Sequence, residues 1–369
     1  MIKETSVNDK TFQGEIFHDY FAISGGGEKL VTMLARDLNW HISGGFISPE
    51  YQQLNSELLT ILHSLKAFAG FKPLQMLSLI QKWKNCQSKL TGNKVYSGVY
   101  APLSAVNHPN CFNILYCHTP PRFVYDKKDY YLSSLPKWQA IIFAQLIRYF
   151  QQQYEPSLLH MDQIIVNSRH VQQRFKHYLK MDSEVVYPPC DTKQFSFISQ
   201  GDYYLSTARL DGLKRVEVIV QAFIKMPDKK LIVCSGGPEL AKLQKLAENS
   251  TNITFTNWIS QAELVDLVAN CIATIYIPWD EDFGISPIES MAAGKPVIGV
   301  NEGGLKETIV DQQTGYLLDA EKSSLLKQLI TIVQNLTAEH ALSLRENCEK
   351  QAELFSESQF LDNMRAYFK

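Results

Sequence analysis

The stretch Ile277-Pro-Trp-Asp-Glu-Asp-Phe-Gly-Ile-Ser-Pro-Ile-Glu289 continues as Ser-Met-Ala-Ala-Gly-Lys-Pro-Val-Ile-Gly-Val-Asn-Glu-Gly-Gly304. It reads as strand, glycine turn, helix, second strand, second glycine turn. Ser286 is a candidate N-cap, Pro287 suits a first helical position, and Ser286-x-x-Glu289 matches a capping box. A helix starting just after the Gly284 turn leaves several amide N–H groups unpaired, a natural cradle for a diphosphate. Glu281, in the loop at a strand's carboxyl end, is free to reach a ligand, whereas Glu289 lies in the helix. The two carboxylates therefore have different work to do.

Outward from this stretch, short apolar runs alternate with longer amphipathic ones, the pattern of parallel strands joined by crossover helices. In the second half, strands are expected at 203–207, 230–234, 253–255, 273–277 and 296–300. Helices are expected at 215–224, 238–248, 261–268, 287–293 and 304–309. The first half gives strands near 15–20, 95–99, 113–117 and 163–167 and helices near 28–38, 137–152 and 169–179, with an irregular helical stretch over 56–90. Pro188-Pro189 interrupts both patterns and marks a domain junction. The expected division is a Rossmann-like domain over 1–189, a second over 190–350, and a C-terminal helical segment, 351–369, across the junction. The fold class is α/β, and the expected ligand site lies in a cleft between the carboxyl ends of two open sheets.

The chain has 369 residues, more than one hydrophobic core usually serves. With 45% hydrophobic and 20% charged residues it is neither disordered nor membrane-spanning, and a net charge of -2 gives no support to a nucleic-acid-binding role. Seven scattered cysteines without a C-x-x-C pair read as buried free thiols. Residues 1–11 are polar, so no secretory signal is read there and a cytoplasmic location is expected.

Taken together, Glu281-x7-Glu289 around Phe283-Gly284-Ile285, then Ala292-Ala-Gly-Lys-Pro-Val297 and Gly303-Gly304, resemble the signature of glycosyltransferase family 4. The resemblance implies a GT-B fold, two Rossmann-like domains facing a cleft, and transfer of a sugar from a nucleotide sugar with retention at the anomeric carbon. It implies that Glu281 positions the donor sugar and Glu289 binds the ribose hydroxyls. The amides of Phe283, Gly284 and Ile285 would contact sugar hydroxyls and diphosphate. Further landmarks follow in the family's order. Ser206-Thr-Ala-Arg209-Leu-Asp-Gly-Leu-Lys214-Arg215 places Arg209 and Lys214 on the donor diphosphate, where cations stabilise the leaving group; Arg215 also reads as a solvated helix start. Cys234-Ser-Gly-Gly-Pro-Glu239 reads first as an architectural turn. Gly25, Gly26 and Gly27 open the first helix under the donor phosphates, with Gly26 and Gly27 as donor-binding positions, and His118, in Cys117-His118-Thr-Pro-Pro, resembles the family's donor-sugar contact.

The acidic trio Asp280, Glu281 and Asp282 is not read as a metal site, since Arg209 and Lys214 can neutralise the diphosphate directly; no metal and no cofactor beyond the nucleotide-sugar substrate is expected. The N-terminal motifs His18-Asp-Tyr20, Gly26-Gly-Glu28, Tyr116-Cys-His-Thr-Pro120 and Asn167-Ser-Arg169 are similar to a bacterial subgroup of mannosyltransferases in O-antigen and exopolysaccharide assembly. That similarity favours GDP-mannose as donor and a glycan or lipid-linked glycan as acceptor. Two stretches, Lys66-Ala-Phe-Ala-Gly-Phe-Lys72 through Trp83-Lys84 and Phe123-Val-Tyr-Asp-Lys-Lys-Asp-Tyr-Tyr-Leu132, interleave aromatics with lysines, as a peripheral membrane contact would; an ordinary amphipathic helix accounts equally for the first. A sugar-nucleotide epimerase on the same fold and a non-catalytic partner subunit are the alternatives.

Overall fold

Strands buried on both faces need near-continuous apolar runs, and such runs carry the two parallel sheets of the computed structural model. It describes residues 13–22 and 25–369. The reading of residues 1–11 falls outside these, as do Ile23 and Ser24 of the first glycine loop.

By internal contacts the chain forms two units. The first comprises the described residues up to Asn167, then Val171–Val186 and Leu361–Lys369; the second comprises Ser168–His170 and Tyr187–Phe360. The chain thus changes unit after Val186, just before the proline pair. Only from Leu361 does it rejoin the first unit, so residues 351–360 of the expected C-terminal segment belong to the second. The return is anchored: Phe368 packs on Trp40 at 5.0 Å, Lys369 N–H donates to Asn93 Oδ1 at 3.0 Å, and Arg365 donates to both Asp37 oxygens at 2.7 Å.

The first unit carries seven strands: β1 (Gly14–His18), β2 (His41–Gly44), β3 (Leu62–Ser64), β4 (Asn93–Ser97), β5 (Phe112–Cys117), β6 (Gln163–Val166) and β7 (Glu184–Val185). They lie in the order β3-β2-β1-β4-β5-β6-β7, all parallel, with Ile16 paired to both Ile42 and Val95. β2, β3 and β7 have no counterpart among the expected strands. The stretch 56–90 is a 3-10 turn (Ser56–Thr60), β3, and a single helix, Lys72–Lys84. The helix expected over 137–152 runs Lys137–Leu158.

The second unit carries β8 (Tyr203–Ser206), β9 (Lys230–Val233), β10 (Ile253–Phe255), β11 (Ala273–Ile275), β12 (Val297–Val300) and β13 (Gly315–Leu318), ordered β10-β9-β8-β11-β12-β13. Five match expected strands within two residues at each end; β13 is new. The helix Val216–Ile224 buries Ile219, Val220 and Phe223, and Leu325, Leu329 and Val333 of Lys322–Asn335 join the same core.

Strand order reverses between β1 and β4 in one sheet and between β8 and β11 in the other. At such a switch point neighbouring loops run to opposite sides and leave a crevice beyond the carboxyl ends of the strands, where open α/β sheets bind ligands. Each unit therefore offers one crevice to examine.

Candidate functional site

In the second unit the loop after β8 and the loop after β11 meet at the switch point. Asp211 caps the turn Gly212–Lys214 by accepting from Leu213 N–H at 3.1 Å, and Leu213 O accepts from Trp279 N–H at 2.7 Å. These bonds tie the Lys214 turn to the Glu281 loop. Lys214 Nζ then donates to Glu281 Oε2 at 2.6 Å and to Tyr276 Oη at 3.1 Å. Burial, reinforced by the Glu281 carboxylate, pushes the Tyr276 phenol well above its ordinary range, so it stays protonated. Both members of the ion pair remain about a fifth exposed, accessible to a ligand.

Arg215 is not the solvated residue its neighbours suggested. Held at φ 52°, it turns inward, donating to Ile277 O at 2.7 Å, to Pro278 O and to Glu302. It is a clamp on the Glu281 loop. Arg209 pairs with Asp211, Nε to Oδ2 at 3.0 Å, and its side chain is 62% exposed. The structure thus joins Lys214, not Arg209, to Glu281.

The two glycine turns pack against each other. Gly304 N–H donates to Glu281 O at 2.8 Å. A Cβ on Gly303, which sits at φ 60°, would lie 2.3 Å from that oxygen, and one on Gly304 would lie 2.5 Å from Phe283 Cα. Only glycine permits this approach.

The capping box does not form. Gly284, at φ 88°, is the N-cap, and the helix Ile285–Ala292 begins with no side-chain cap. Pro287 is its third residue, where a missing N–H costs nothing because the first four are unpaired anyway. Ile285 is thus the first helical residue, and Glu289 lies in the second turn, an electrostatic neighbour of both Cys234 and Tyr276. Phe283 is buried, stacked on Tyr187 at 5.6 Å, so only its backbone is available to a ligand. The turn after β9 is architectural: Leu210 N–H donates to Gly236 O at 3.0 Å, and a Cβ on Gly237 would lie 2.4 Å from Leu210 O.

In the first unit the switch point carries a histidine pair rather than an ion pair. His18 ends β1, Ser97 ends β4, and His118 follows β5. Ser97 Oγ sits 3.1 Å from His18 Nδ1 and 2.8 Å from His118 Nε2, so one hydroxyl bridges two imidazoles. Burial holds both rings neutral: His118 is lowered to about 4, and His18, with His118 beside it, to about 3. Gly27 lies over the pair, its would-be Cβ 3.4 Å from His18 Cε1 and 3.5 Å from His118 Nε2. Gly25 is the N-cap of the helix Gly26–Leu38, whose first residues are therefore Gly26 and Gly27. Next to His18, the Asp19 carboxylate accepts from the N–H groups of Val99, Tyr100 and Ala101 at 2.6–2.9 Å and pins the loop after β4.

Tyr276, Ser97 and His18 were not among the residues singled out from sequence for the site. His18 gives a signal, a polar residue ending an apolar strand, whereas Ser97 falls inside the expected strand 95–99 and Tyr276 inside an apolar run, and neither gives one.

Residues 191–354 match the family described as glycosyl transferases group 1. The alpha-1,3/1,6-mannosyltransferase ALG2 of Dictyostelium discoideum is 31% identical over 42% of this chain and 49% of its own length; that of Candida glabrata is 26% identical over 66% and 64%. The chain thus spans about half to just under two thirds of the length of these curated relatives. Anabaena HepE, solved in complex with UDP, superposes with a TM-score of 0.71 at 14% identity, covering 96% of this chain and 99% of that one. Residues 191–354 match the glycosyl transferases group 1 family, and the two parallel α/β units, with Lys214–Glu281 at one switch point and His18–Ser97–His118 at the other, have the GT-B glycosyltransferase fold.

Proposed function

We propose that this chain is a retaining glycosyltransferase that moves a sugar, with GDP-mannose as favoured donor, onto a hydroxyl of a glycan or lipid-linked glycan in cell-surface polysaccharide synthesis. The observation that carries the reading is the Lys214–Glu281 pair at the second switch point, on a loop seated against a second glycine turn. A cation there meets the charge that develops on a departing diphosphate, and the unpaired amides at Ile285 and Ser286 add fixed dipoles. Glu281 then faces the donor sugar, Glu289 the ribose, and Arg209, exposed beside Asp211, is available to the diphosphate. Mannose is supported by the names of the curated relatives; the polysaccharide role rests on the N-terminal motifs from His18 to Arg169.

In the transfer, the bond from the anomeric carbon to the diphosphate oxygen breaks, and the acceptor oxygen bonds to that carbon on the same face. The acceptor proton passes to the departing diphosphate oxygen. The protein supplies position and charge stabilisation rather than a base, and His118, neutral, hydrogen-bonds the sugar. With Lys214 on the diphosphate, turnover is expected without a metal. No helix among the described residues is long and apolar enough to cross a membrane; peripheral action at the cytoplasmic membrane face fits the proposal.

The test is nucleoside diphosphate release from a panel of nucleotide sugars, with and without glycan acceptor and with EDTA, followed by NMR of the product's anomeric proton. Acceptor-dependent, EDTA-insensitive release with retained configuration is expected. Donor isomerisation without acceptor would identify an epimerase, no turnover a partner subunit, and activity lost to EDTA but restored by Mg²⁺ a metal-dependent enzyme.

A further inference from the structure

Glu281 owes its place to more than the glycine turn beside it. The residues on either side of it are held by a strip of three, Ser168-Arg-His170, which counts with the second unit. Ser168 Oγ donates to Asp282 O at 2.6 Å, and His170 Nε2 lies 2.9 Å from Asp280 Oδ1. Asp280 itself sits at φ 53°, a left-handed conformation that costs a residue with a Cβ. The strip thus grips the loop one residue before and one residue after the carboxylate that pairs with Lys214.

A second carboxylate grips the strip. Arg169 and His170 begin the helix Arg169–Leu179, and the first N–H groups of a helix have no partner within it. One side chain from far along the sequence takes up both: Glu307 Oε2 accepts from Arg169 N–H at 2.8 Å and Oε1 from His170 N–H at 2.9 Å. Negative charge at a helix N-terminus is favourable in its own right. Tyr187 Oη also donates to Glu307 Oε2, at 3.1 Å, and its ring is the one stacked on Phe283.

The arrangement closes on itself. Glu307 lies in the short helix Leu305–Thr308, directly after the turn whose Gly304 N–H donates to Glu281 O. The segment 303–307 therefore holds the Glu281 loop twice, directly from Gly304 and indirectly through Glu307 and the strip. A loop fixed at 280, 281 and 282 has little freedom to re-aim the side chain at its centre.

We propose that Glu307 is a positioning residue for the transfer reaction: it acts on no substrate atom, but holds Ser168–His170 in the place from which they aim Glu281. The consequence for turnover rests on the glycosyltransferase reading; the hold itself is tested without it.

Glu307→Ala and Glu307→Gln are compared with the parent in steady-state turnover, in calorimetric titration of whichever of GDP and UDP the parent binds, and in hydrogen exchange. Misplacing a reacting group by about 1 Å can cost about 10²-fold, so Glu307→Ala should lower kcat by about tenfold or more. The KM for donor and the nucleoside diphosphate affinity should stay within about twofold of the parent. Glu307→Gln, which keeps one acceptor oxygen for two N–H groups, should fall between. In the Ser168→Ala/His170→Ala background, loss of Glu307 should cost nothing further, because the grip it maintains is already gone. In Glu307→Ala, exchange should quicken by about tenfold or more at the Arg169 and His170 amides and over 279–283, while β8 and β11 exchange as in the parent. Parental kcat in Glu307→Ala would overturn the proposal, as would losses that multiply in the triple variant. So would a fall in diphosphate affinity as large as the fall in kcat, which would make Glu307 a binding residue, or quickened exchange spread through β8 and β11. Absence of turnover in the parent would count against the glycosyltransferase reading alone, and the exchange pattern then decides the role of Glu307.

Discussion

At the switch point of the first sheet, two buried neutral imidazoles share one serine hydroxyl; at that of the second, a lysine and a glutamate form an ion pair left partly open to solvent. Both crevices arise from the same strand order. What differs is burial. His18 and His118 lie so deep that protonation is suppressed, which suits hydrogen bonding to neutral hydroxyls, whereas Lys214 and Glu281 form an ion pair with about a fifth of each side chain in solvent. The comparison teaches that topology fixes where a ligand can bind, while the depth of the side chains fixes which chemistry it meets.

Removing the charged pair is the strongest way to break this division. Lys214→Ala and Glu281→Ala should each lower turnover by about 10²-fold or more, read as nucleotide release under saturating donor. Near-parental rates in both would end the assignment. At the histidine crevice the expected loss is smaller: His118→Ala should cost about tenfold, the worth of one neutral hydrogen bond, and Ser97→Ala about threefold, because Ser97 orients the rings without meeting substrate. Ser97→Thr, which keeps the hydroxyl, should recover part of the loss if orientation is its role.

Gly303→Ala sharpens the claim that the second crevice is built by two interlocked turns. Its Cβ would meet Glu281 O at 2.3 Å in a left-handed backbone, so a destabilisation of about 1–3 kcal/mol is expected in urea unfolding, with a raised KM for donor.

The depth of the histidines predicts a pH dependence. Their folded values, about 3 and 4, lie below the ordinary 6.5. Between pH 6.5 and 4 the unfolded chain binds protons that the folded chain refuses, so their contribution to stability falls as pH falls. His118→Gln should therefore lose less stability than the parent between pH 7 and pH 5, by about 1–2 kcal/mol. Asp19, raised to about 6 by burial, acts with the opposite sign in both proteins and cancels in the difference. Identical pH profiles would mean the rings are not held neutral. The smallest effect belongs to Ser286→Ala: with Gly284 as N-cap, stability should change by less than about 0.5 kcal/mol, whereas a capping box would lose about 1.

Much of the second unit was legible because its strands are apolar, its turns carry glycine, and Glu281-x7-Glu289 fixes one loop and one helix. Lys214 was legible as a cation at a strand end. The capping box misled because Ser286-x-x-Glu289 looks the same whether the helix starts at Pro287 or, as a left-handed Gly284 permits, at Ile285. Arg215 misled because nothing in sequence reveals φ 52°, which turns it inward. β2 and β3, His-Ile-Ser-Gly and Leu-His-Ser, lack the apolar run that marked the other strands, and β7 is only two residues long. Ser97 was invisible for a different reason: its importance comes from two histidines 79 and 21 residues away, a three-body contact that only parallel pairing of β1, β4 and β5 creates. The two aromatic and lysine stretches, flagged separately, likewise meet only in the fold, at a cavity lined by Phe71 and Lys72 from one and Phe123 and Tyr131 from the other.

The division of labour is tested most directly by calorimetric titration of GDP and UDP, without sugar, against the parent, Lys214→Ala and His118→Ala. The account predicts that Lys214→Ala weakens the preferred nucleoside diphosphate at least tenfold while His118→Ala leaves its affinity unchanged, since His118 is assigned to the sugar and not to the diphosphate. Equal weakening by the two substitutions, or parental affinity in Lys214→Ala, would contradict it.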